Sequence, residues 1–395
     1  MDFEEILSQG VARGASDVHL KPRAHPILRI HGALELQQDW DVITQDYTLE
    51  LAKRLLKPQR LTALLDEGKE QDLAYQVKTA GRFRINLFLA KGEVHGSFRA
   101  IPNKIPAFEE LHLPKVLEKL AMDRRGLMLV TGVTGSGKST TLAAMVDYMN
   151  RYRNDHIITI EDPIEFLHED KTCVVRQREV GQDSGGFAQA LRAALRQDPD
   201  VILVGEMRDP ETMTTALHAA ETGHLVLSTL HTLNAAETIN RLISSFPPHQ
   251  EDQIRGQLAG VMQGIVSQRL VIKAGGKGRV PAVEVMVATG LIRDSIRDRE
   301  KTPQIPAIIA AGQAQYGMQT FDQSLLALYR DDMISLETAM EAATNPDDFA
   351  LKIRGIFSAA EMTWEVGSGD PGKPGAPAAP GAPKAGGSAF FKKDK

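Results

Sequence analysis

The chain has 395 residues, 42% of them hydrophobic and 25% charged, with 46 Lys and Arg against 51 Asp and Glu for a formal net charge of −5. That length allows two to three domains with buried cores, and the mildly acidic balance removes any general electrostatic drive toward nucleic acid or anionic membrane. One cysteine, Cys173, excludes an intrachain disulfide and a cysteine-rich zinc site. The acidic start Met1-Asp2-Phe3-Glu4-Glu5 lacks the basic and apolar parts of a signal peptide. No stretch approaches the roughly 18 apolar residues of a membrane-spanning helix, so the expected location is the cytoplasm, with no direct membrane insertion.

Asp2 to Arg13 places Phe3, Ile6, Leu7 and Val11 on one helical face. Val18-His19-Leu20 and Ile27 to Gly32 read as short strands, the second ending in a turn at Gly32. Thr48 to Leu65 is again helical in period. Arg82 to Leu89 and Val94 to Arg99 then read as a β-hairpin around Lys91-Gly92. Residues 1–100 are thus expected to form an α+β domain. Residues 101–118, with Pro102, Pro106 and Pro114, are expected to form a stiff linker.

From residue 119 the pattern becomes that of an α/β domain reaching to 366. Gly126 to Thr131 is a buried-strand run that leads into a glycine-rich loop and a helix from Ser139 to about Asn150. His156 to Ile160, Val201 to Val204 and Leu225 to Leu230 are further apolar runs separated by helical stretches, as in a parallel sheet covered on both faces. Asp252 to Leu270 and Thr320 to Tyr329 read as C-terminal helices, the second opened by a Thr320…Gln323 capping box. Residues 367–395 are mostly Gly, Pro, Ala, Ser and Lys, have little to bury, and are expected to be disordered.

The loop is Gly132-Val133-Thr134-Gly135-Ser136-Gly137-Lys138-Ser139, a complete P-loop pattern in its strand-loop-helix setting, with Thr140 adjoining. Glycines let backbone N–H groups turn toward phosphates at a helix N-terminus that already favours anions. Lys138 is the candidate for the β- and γ-phosphates, and Ser139 for Mg²⁺. The cofactors expected are therefore ATP and Mg²⁺. The metal also needs an acid at the end of an apolar strand. Glu206, after Val201-Ile202-Leu203-Val204-Gly205, meets that need, acting through a water; the bland alternative is a surface carboxylate.

Glu161-Asp162-Pro163-Ile164-Glu165 clusters three carboxylates at a proline-bearing turn, and one of them is a candidate to orient or deprotonate the attacking water. His224 and His231 bracket the third apolar strand. Their spacing makes a poor metal site. It suits structural histidines, or a γ-phosphate sensor or subunit relay.

Leu195 to Asp209, with the Ile160 to Glu165 stretch (an "Asp box") and Thr222 to Thr232 (a "His box"), resembles the secretion and type IV pilus ATPases in order and spacing. The likeness extends from Ser16-Asp17-Val18-His19-Leu20 to Gly317 through Gln323, and is greatest to the PilT/PilU-like pilus retraction (twitching motility) ATPases. It implies an α/β fold: an N-terminal PAS-like α+β domain, then a RecA-like P-loop ATPase domain with C-terminal helices. It also implies a homo-hexamer that hydrolyses ATP to power pilus retraction, peripheral at the inner membrane through a PilC-like platform protein. A paralogous retraction ATPase is a further implied partner. By the same resemblance Glu165 is the catalytic base and Glu206 helps hold Mg²⁺. His231 joins the catalytic set, and Arg82, Arg84 and Arg99 are candidates to reach the phosphates. A transition-state arginine is worth a factor of about 10³–10⁵.

Relatives that extend pili or drive type II secretion carry a longer N-terminal region and a four-cysteine zinc insertion. The single cysteine and the start of this chain near the PAS-like domain favour retraction. Leu291 to Asp298 matches a C-terminal helix of the retraction ATPases resembling Ala-Ile-Arg-Asn-Leu-Ile-Arg-Glu. It keeps Ile292, Arg293, Ile296 and Arg297 and departs at the other four positions, which leaves open an accessory rather than principal motor. Other readings are an extension or type II secretion ATPase, a nucleotide switch without a motor role, and a DNA translocase. The last is disfavoured by the acidic charge and by the lack of interleaved aromatic and basic residues, so no nucleic-acid partner is expected.

Overall fold

Two sheets of different construction organise the computed structural model, which describes residues 1–30, 32–101 and 104–353. The N-terminal part begins with α1 (Phe3–Ala12), whose Asp2 cap accepts the Glu4 N–H and whose Phe3, Ile6 and Leu7 are buried. Then come β1 (Ala15–Leu20), β2 (Ile27–Ile30), β3 (Ala33–Leu36), α2 (Gln45–Leu55), α3 (Pro58–Leu65), β4 (Gln71–Val77), β5 (Gly81–Ala90) and β6 (Glu93–Ala100). The strands form one antiparallel sheet in the order β3-β2-β1-β6-β5-β4. Period-2 alternation sends Phe83, Ile85 and Leu87 of β5 into a core with Leu7, Leu28 and Phe98. Arg82, Arg84 and Asn86 therefore take the opposite face.

The hairpin expected around Lys91-Gly92 is present: Ala90 pairs with Glu93, and both turn residues have positive φ (54° and 78°), as a two-residue I′ turn requires. The single helical stretch expected over Thr48 to Leu65 is instead two helices. Pro58 starts α3 and forces Lys57 to an extended ψ of 154°.

The segment expected as a linker is packed over much of its length. Phe108, Leu113 and Leu117 are buried against Met128 and Val130, and the Phe108 ring lies 5.3 Å from that of Tyr148. These apolar anchors outweigh the three prolines. Within this stretch α4 (Val116–Ala121) leads to the second sheet.

That sheet runs β7 (Gly126–Thr131), α5 (Lys138–Tyr152), β8 (His156–Glu161), β9 (Val174–Glu179), α6 (Phe187–Ala194), β10 (Val201–Val204), α7 (Pro210–Glu221) and β11 (Leu225–Leu230). It continues through α8 (Ala235–Ser244), α9 (Glu251–Val261), β12 (Met262–Ile272) and β13 (Arg279–Val287). The order is β13-β12-β7-β11-β10-β8-β9, parallel except for the β12–β13 pair. Every residue of β7, β10 and β11 is buried, because apolar side chains cover both faces.

The helix expected over Asp252 to Leu270 ends at Val261, and the chain then enters β12. An apolar run holding Ile265, Val266 and Leu270 satisfies helix and buried strand alike, so periodicity could not separate them. Beyond β13 come α10 (Gly290–Arg297), α11 (Ile305–Ala311), α12 (Gln313–Tyr316), α13 (Phe321–Arg330), α14 (Leu336–Ala342) and α15 (Pro346–Ile353). The Thr320 capping box on α13 is formed in both directions. The tail expected over residues 367–395 lies outside the described residues.

The loop joining β8 to β9 carries His168, whose Nδ1 is buried without a hydrogen-bond partner among the described residues. Burial pushes its imidazole down to about 4, against the attraction of Asp147. The unfolded chain then binds the proton first, near the ordinary His value of about 6.5. Stability from neutral His168 is full above that value and is lost as pH falls toward 4, at most about 1.4 kcal/mol per pH unit. His168→Gln should narrow the drop in melting temperature between pH 7 and pH 4.5, and an unchanged drop would remove His168 as its cause.

Candidate active site

Gly132 to Gly137 connects β7 to α5 by a turn that only glycine can make at three points. Gly132, Gly135 and Gly137 have φ of 142°, 78° and 93°. A Cβ at Gly132 would also lie 2.5 Å from the Gln268 carbonyl oxygen and 2.5 Å from Ser136 Oγ. The loop therefore closes over the N-terminus of α5, where unpaired N–H groups and the helix dipole favour an anion.

Lys138 is 9% exposed, and its Nζ donates to the carbonyls of Gly132 at 2.8 Å and Val133 at 3.0 Å. Burial lowers its pKa, while Glu165 and Glu206 act in the opposite sense. These three charged groups, far apart in sequence, thus share one electrostatic environment. Ser136 Oγ is buried without a hydrogen-bond partner among the described residues. Val133, Thr134 and Gly135 are exposed, while Ser139 and Thr140 are half-buried in the first turn of α5.

The two candidate acids arrive from adjacent strands. Gly205 follows β10 and hydrogen-bonds back to the Ile160 carbonyl at 2.8 Å, setting Glu206 beside the end of β8. Glu206 Oε1 accepts from Arg208 Nε at 2.7 Å, and its Oε2 lies 3.7 Å from His231 Nε2. Beyond β8, the three Asp-box carboxylates separate in environment. Burial pushes the Glu161 carboxyl up, against hydrogen bonds from Thr159 Oγ1, Gln177 Nε2 and the Glu165 backbone. Glu161 thus holds the turn, which includes a cis Asp162–Pro163 bond, while the Asp162 and Glu165 side chains are exposed.

The histidines do not stand together. His231 follows the C-terminal end of β11, at the edge where the P-loop emerges. His224 precedes β11, and its Nδ1 contacts the Ala219 carbonyl at 2.9 Å. A six-residue strand spans about 20 Å, so His224 cannot sense the γ-phosphate bound by its own chain. Its contact with the Ala219 carbonyl suits a structural histidine as well as a subunit relay.

The three arginines lie on the polar face of the N-terminal sheet, and none has a hydrogen bond or ion pair to residues 132–140 among the described contacts. Arg82 Nη2 pairs with Glu179 Oε2 at 2.9 Å, and Arg99 Nε pairs with Asp17 Oδ1 at 2.8 Å. Arg84, directly across from Arg99, is exposed.

Sequence reasoning missed the support behind the loop. Thr131 Oγ1 donates to Ser267 Oγ at 3.0 Å, and Ser267 Oγ donates to Glu284 Oε1 at 3.4 Å. Glu284 Oε1 also accepts the Ala235 N–H at 2.8 Å, at the start of α8. Burial pushes the Glu284 carboxyl up. Gln268 Nε2 donates to Thr141 Oγ1 at 2.8 Å on α5. The only signal in the sequence was polar residues inside an apolar run, in β12 and β13.

The donor set fits a nucleotide triphosphate. It offers a positive-φ glycine loop, a desolvated lysine and an orphaned buried hydroxyl at one helix N-terminus. The Ser139 hydroxyl and Glu206 carboxylate are hard oxygen donors of the type Mg²⁺ prefers.

The family model for type II/IV secretion system proteins matches residues 2–298. The chain is 44% identical to the type IV pilus retractation ATPase PilT of Pseudomonas aeruginosa, covering 88% of this chain and all of that one. It is 39% identical to the type IV pilus ATPase PilU of the same organism, over 90% of this chain and 92% of the relative. A twitching motility protein of Neisseria gonorrhoeae is 42% identical over 82% of this chain and 86% of its own. Among solved structures, the pilus retraction motor PilT with bound ADP superposes with a TM-score of 0.81 at 45% identity, covering 88% of this chain and 98% of that one.

Gly132→Ala should impose a strained φ of 142° and a clash with the Gln268 carbonyl. Strain of about 1–3 kcal/mol in the loop corresponds to a fall in ADP affinity of about 5- to 150-fold. Titration with a fluorescent ADP analogue checks this, and unaltered affinity would mean the phosphates bind elsewhere.

Proposed function

The chain belongs to the type II/IV secretion system protein family, and from that membership we propose a hexameric ATPase that powers type IV pilus retraction and twitching motility. The observation that carries this reading is 44% identity along the whole length of a pilus retraction ATPase. The loop geometry gives that identity a chemical basis. ATP's phosphates bind the N–H groups of residues 132–140, with Lys138 against the β- and γ-oxygens. Ser139 and Glu206 would hold Mg²⁺, which would neutralise charge on the phosphates when bound.

Glu165 takes the proton of the attacking water. Its exposed carboxylate stands near Lys138, while Glu161 is spent on holding the turn. His231, next to Glu206, reads the γ-phosphate. Of the three candidate arginines, Arg84 reaches the nucleotide of a neighbouring subunit, where a guanidinium spreads the charge of the departing phosphoryl group, while Arg82 stays on Glu179 and Arg99 on Asp17. The ring sits in the cytoplasm at the inner membrane, docked on a PilC-like platform protein. The PAS-like sheet, over residues 1–100, turns against a RecA-like sheet, over 119–366. Within the 101–118 segment Phe108, Leu113 and Leu117 are anchored on the second sheet, so the chain from Phe108 onward turns with that sheet.

The helix from Gly290 to Arg297 favours a motor of this class. Ile292 and Ile296 are buried, and Arg293 Nη1 caps α9 through the carbonyls of Ala259, at 2.5 Å, and Gly260, at 3.0 Å. The departures include the exposed Leu291. They keep an accessory role beside a paralogous retraction ATPase as the second reading.

Deleting the gene should leave cells with many surface pili and no surface motility; few pili would mean extension instead. In the purified protein, Glu165→Gln should retain ATP binding and lose about 10²–10⁴-fold in kcat. Turnover close to wild type would move the base elsewhere, with Glu206 the first suspect.

A further inference from the structure

Glu179, the last residue of β9, is a carboxylate with 4% of its surface exposed and a role that ATP chemistry alone does not require. Three donors from three parts of the chain meet on it. Its Oε2 accepts from Arg82 Nη2 at 2.9 Å and from the Ile164 N–H at 3.2 Å, while Oε1 accepts from Gln182 Nε2. Arg82 belongs to the N-terminal sheet. Ile164 immediately precedes Glu165, and Gln182 lies on the way to α6. In the β8–β9 ladder Glu179 is also level with Glu161, whose carboxylate holds the Glu165 backbone from the other side.

The contact is asymmetric. Arg82 Nε is buried and has no hydrogen-bond partner among the described residues, so this arrangement leaves the guanidinium incompletely satisfied. A buried carboxylate, in contrast, depends strongly on the charge paired with it. Turning the N-terminal sheet away would strand Glu179, and its remaining hydrogen bonds to the loop would have to readjust. Movement of one domain therefore reaches the loop that carries Glu165 through a single side chain.

We propose that Glu179 is a positioning residue that couples the orientation of the N-terminal domain to the Asp-box loop, with Arg82 as the other half of the contact. This rests on Glu165 acting as the base. The Glu179 carboxylate is buried and bonded to Arg82, Ile164 and Gln182, and through Ile164 it sets where Glu165 stands. Gln in its place keeps an acceptor for the Ile164 N–H and loses the charge that holds Arg82. Ala loses both.

The test uses the full-length protein as wild type, Glu179→Gln, Glu179→Ala, Arg82→Gln and the Glu179→Gln/Arg82→Gln double variant. Steady-state kcat and KM for ATP are measured beside affinity for a fluorescent ADP analogue. Glu179→Gln and Arg82→Gln should each lower kcat by about 5- to 20-fold with KM and ADP affinity within about twofold of wild type, and the double variant should be no slower than the slower single one. Glu179→Ala should be slower than Glu179→Gln. Multiplying effects in the double variant would overturn the proposal, because Arg82 would then act independently, as at a neighbour's phosphate. An unchanged kcat in Glu179→Gln, or a loss confined to KM and affinity, would overturn it equally. Failure of the base reading is seen separately, as normal turnover in Glu165→Gln. If Glu179→Ala does not fold, the shape-conserving Gln variants still decide the outcome.

Discussion

Parallel pairing of β7, β11, β10 and β8 is the constraint on which the rest of the structure depends. Parallel strands end at one edge, so whatever follows each strand emerges beside whatever follows its neighbour. The register makes this concrete: Thr131 is opposite Leu230, and Val204 is opposite both Ser228 and Ile160. The P-loop, the His231 loop, Glu206 and the Asp box are thereby collected without any contact among them in sequence. The same rule sends His224 away, since it precedes its strand. Both faces must be buried for such a sheet to persist, and the uniformly apolar β7, β10 and β11 satisfy that requirement.

Within the edge, chemistry is set by a few charges taken out of water. Burial lowers the Lys138 pKa, and Glu165 and Glu206 oppose it. An anionic phosphate at this point acts in the same direction as the two carboxylates, which favours the charged lysine. The acids divide their work by environment. Glu161 is enclosed and hydrogen-bonded, whereas Glu165 faces solvent where water can approach. The loop is braced from behind by neutral and carboxylate groups on β12 and β13. A chain of bonds through Thr131, Ser267 and Glu284 reaches Ala235 and so connects the phosphate loop to the helix after His231.

Features carried by local geometry were legible in the sequence. The P-loop needs glycine at set positions, the Lys91-Gly92 turn needs positive φ, and the Thr320 capping box is a four-residue pattern; each is decided within a few residues. The α/β class and the strand ending at Val204 were legible for the same reason. What stayed hidden depends on which elements meet. Periodicity could not say that the apolar run after Val261 pairs with β7 instead of continuing α9. Prolines marked residues 101–118 as a linker, while Phe108 and Leu113 find their partners only once α5 and β7 are placed. Residue type alone left the three Asp-box acids equivalent; the family resemblance singled out Glu165, and the hydrogen bonds that hold Glu161 appear only in the fold. Glu179 and Glu284 sit in no motif and acquire meaning only through contacts with distant residues.

The arginines show what a role across a subunit boundary would demand of the N-terminal sheet. On the polar face of the N-terminal sheet, Arg29, Asp17, Arg99 and Arg84 form a row across β2, β1, β6 and β5. Asp17 already holds Arg99, and Arg99 in turn helps keep the Asp17 carboxyl below its usual range. Arg82 is held by Glu179. Arg82 could meet a phosphate only by exchanging its buried Glu179 partner for a phosphoryl oxygen, whereas Arg99 binds Asp17 through Nε alone and is largely exposed. Arg84 faces no such exchange, since it is exposed and has no ion pair among the described residues. A neighbouring subunit that presented its nucleotide to this face would therefore meet Arg84 first, and would reach Arg82 only by releasing Glu179.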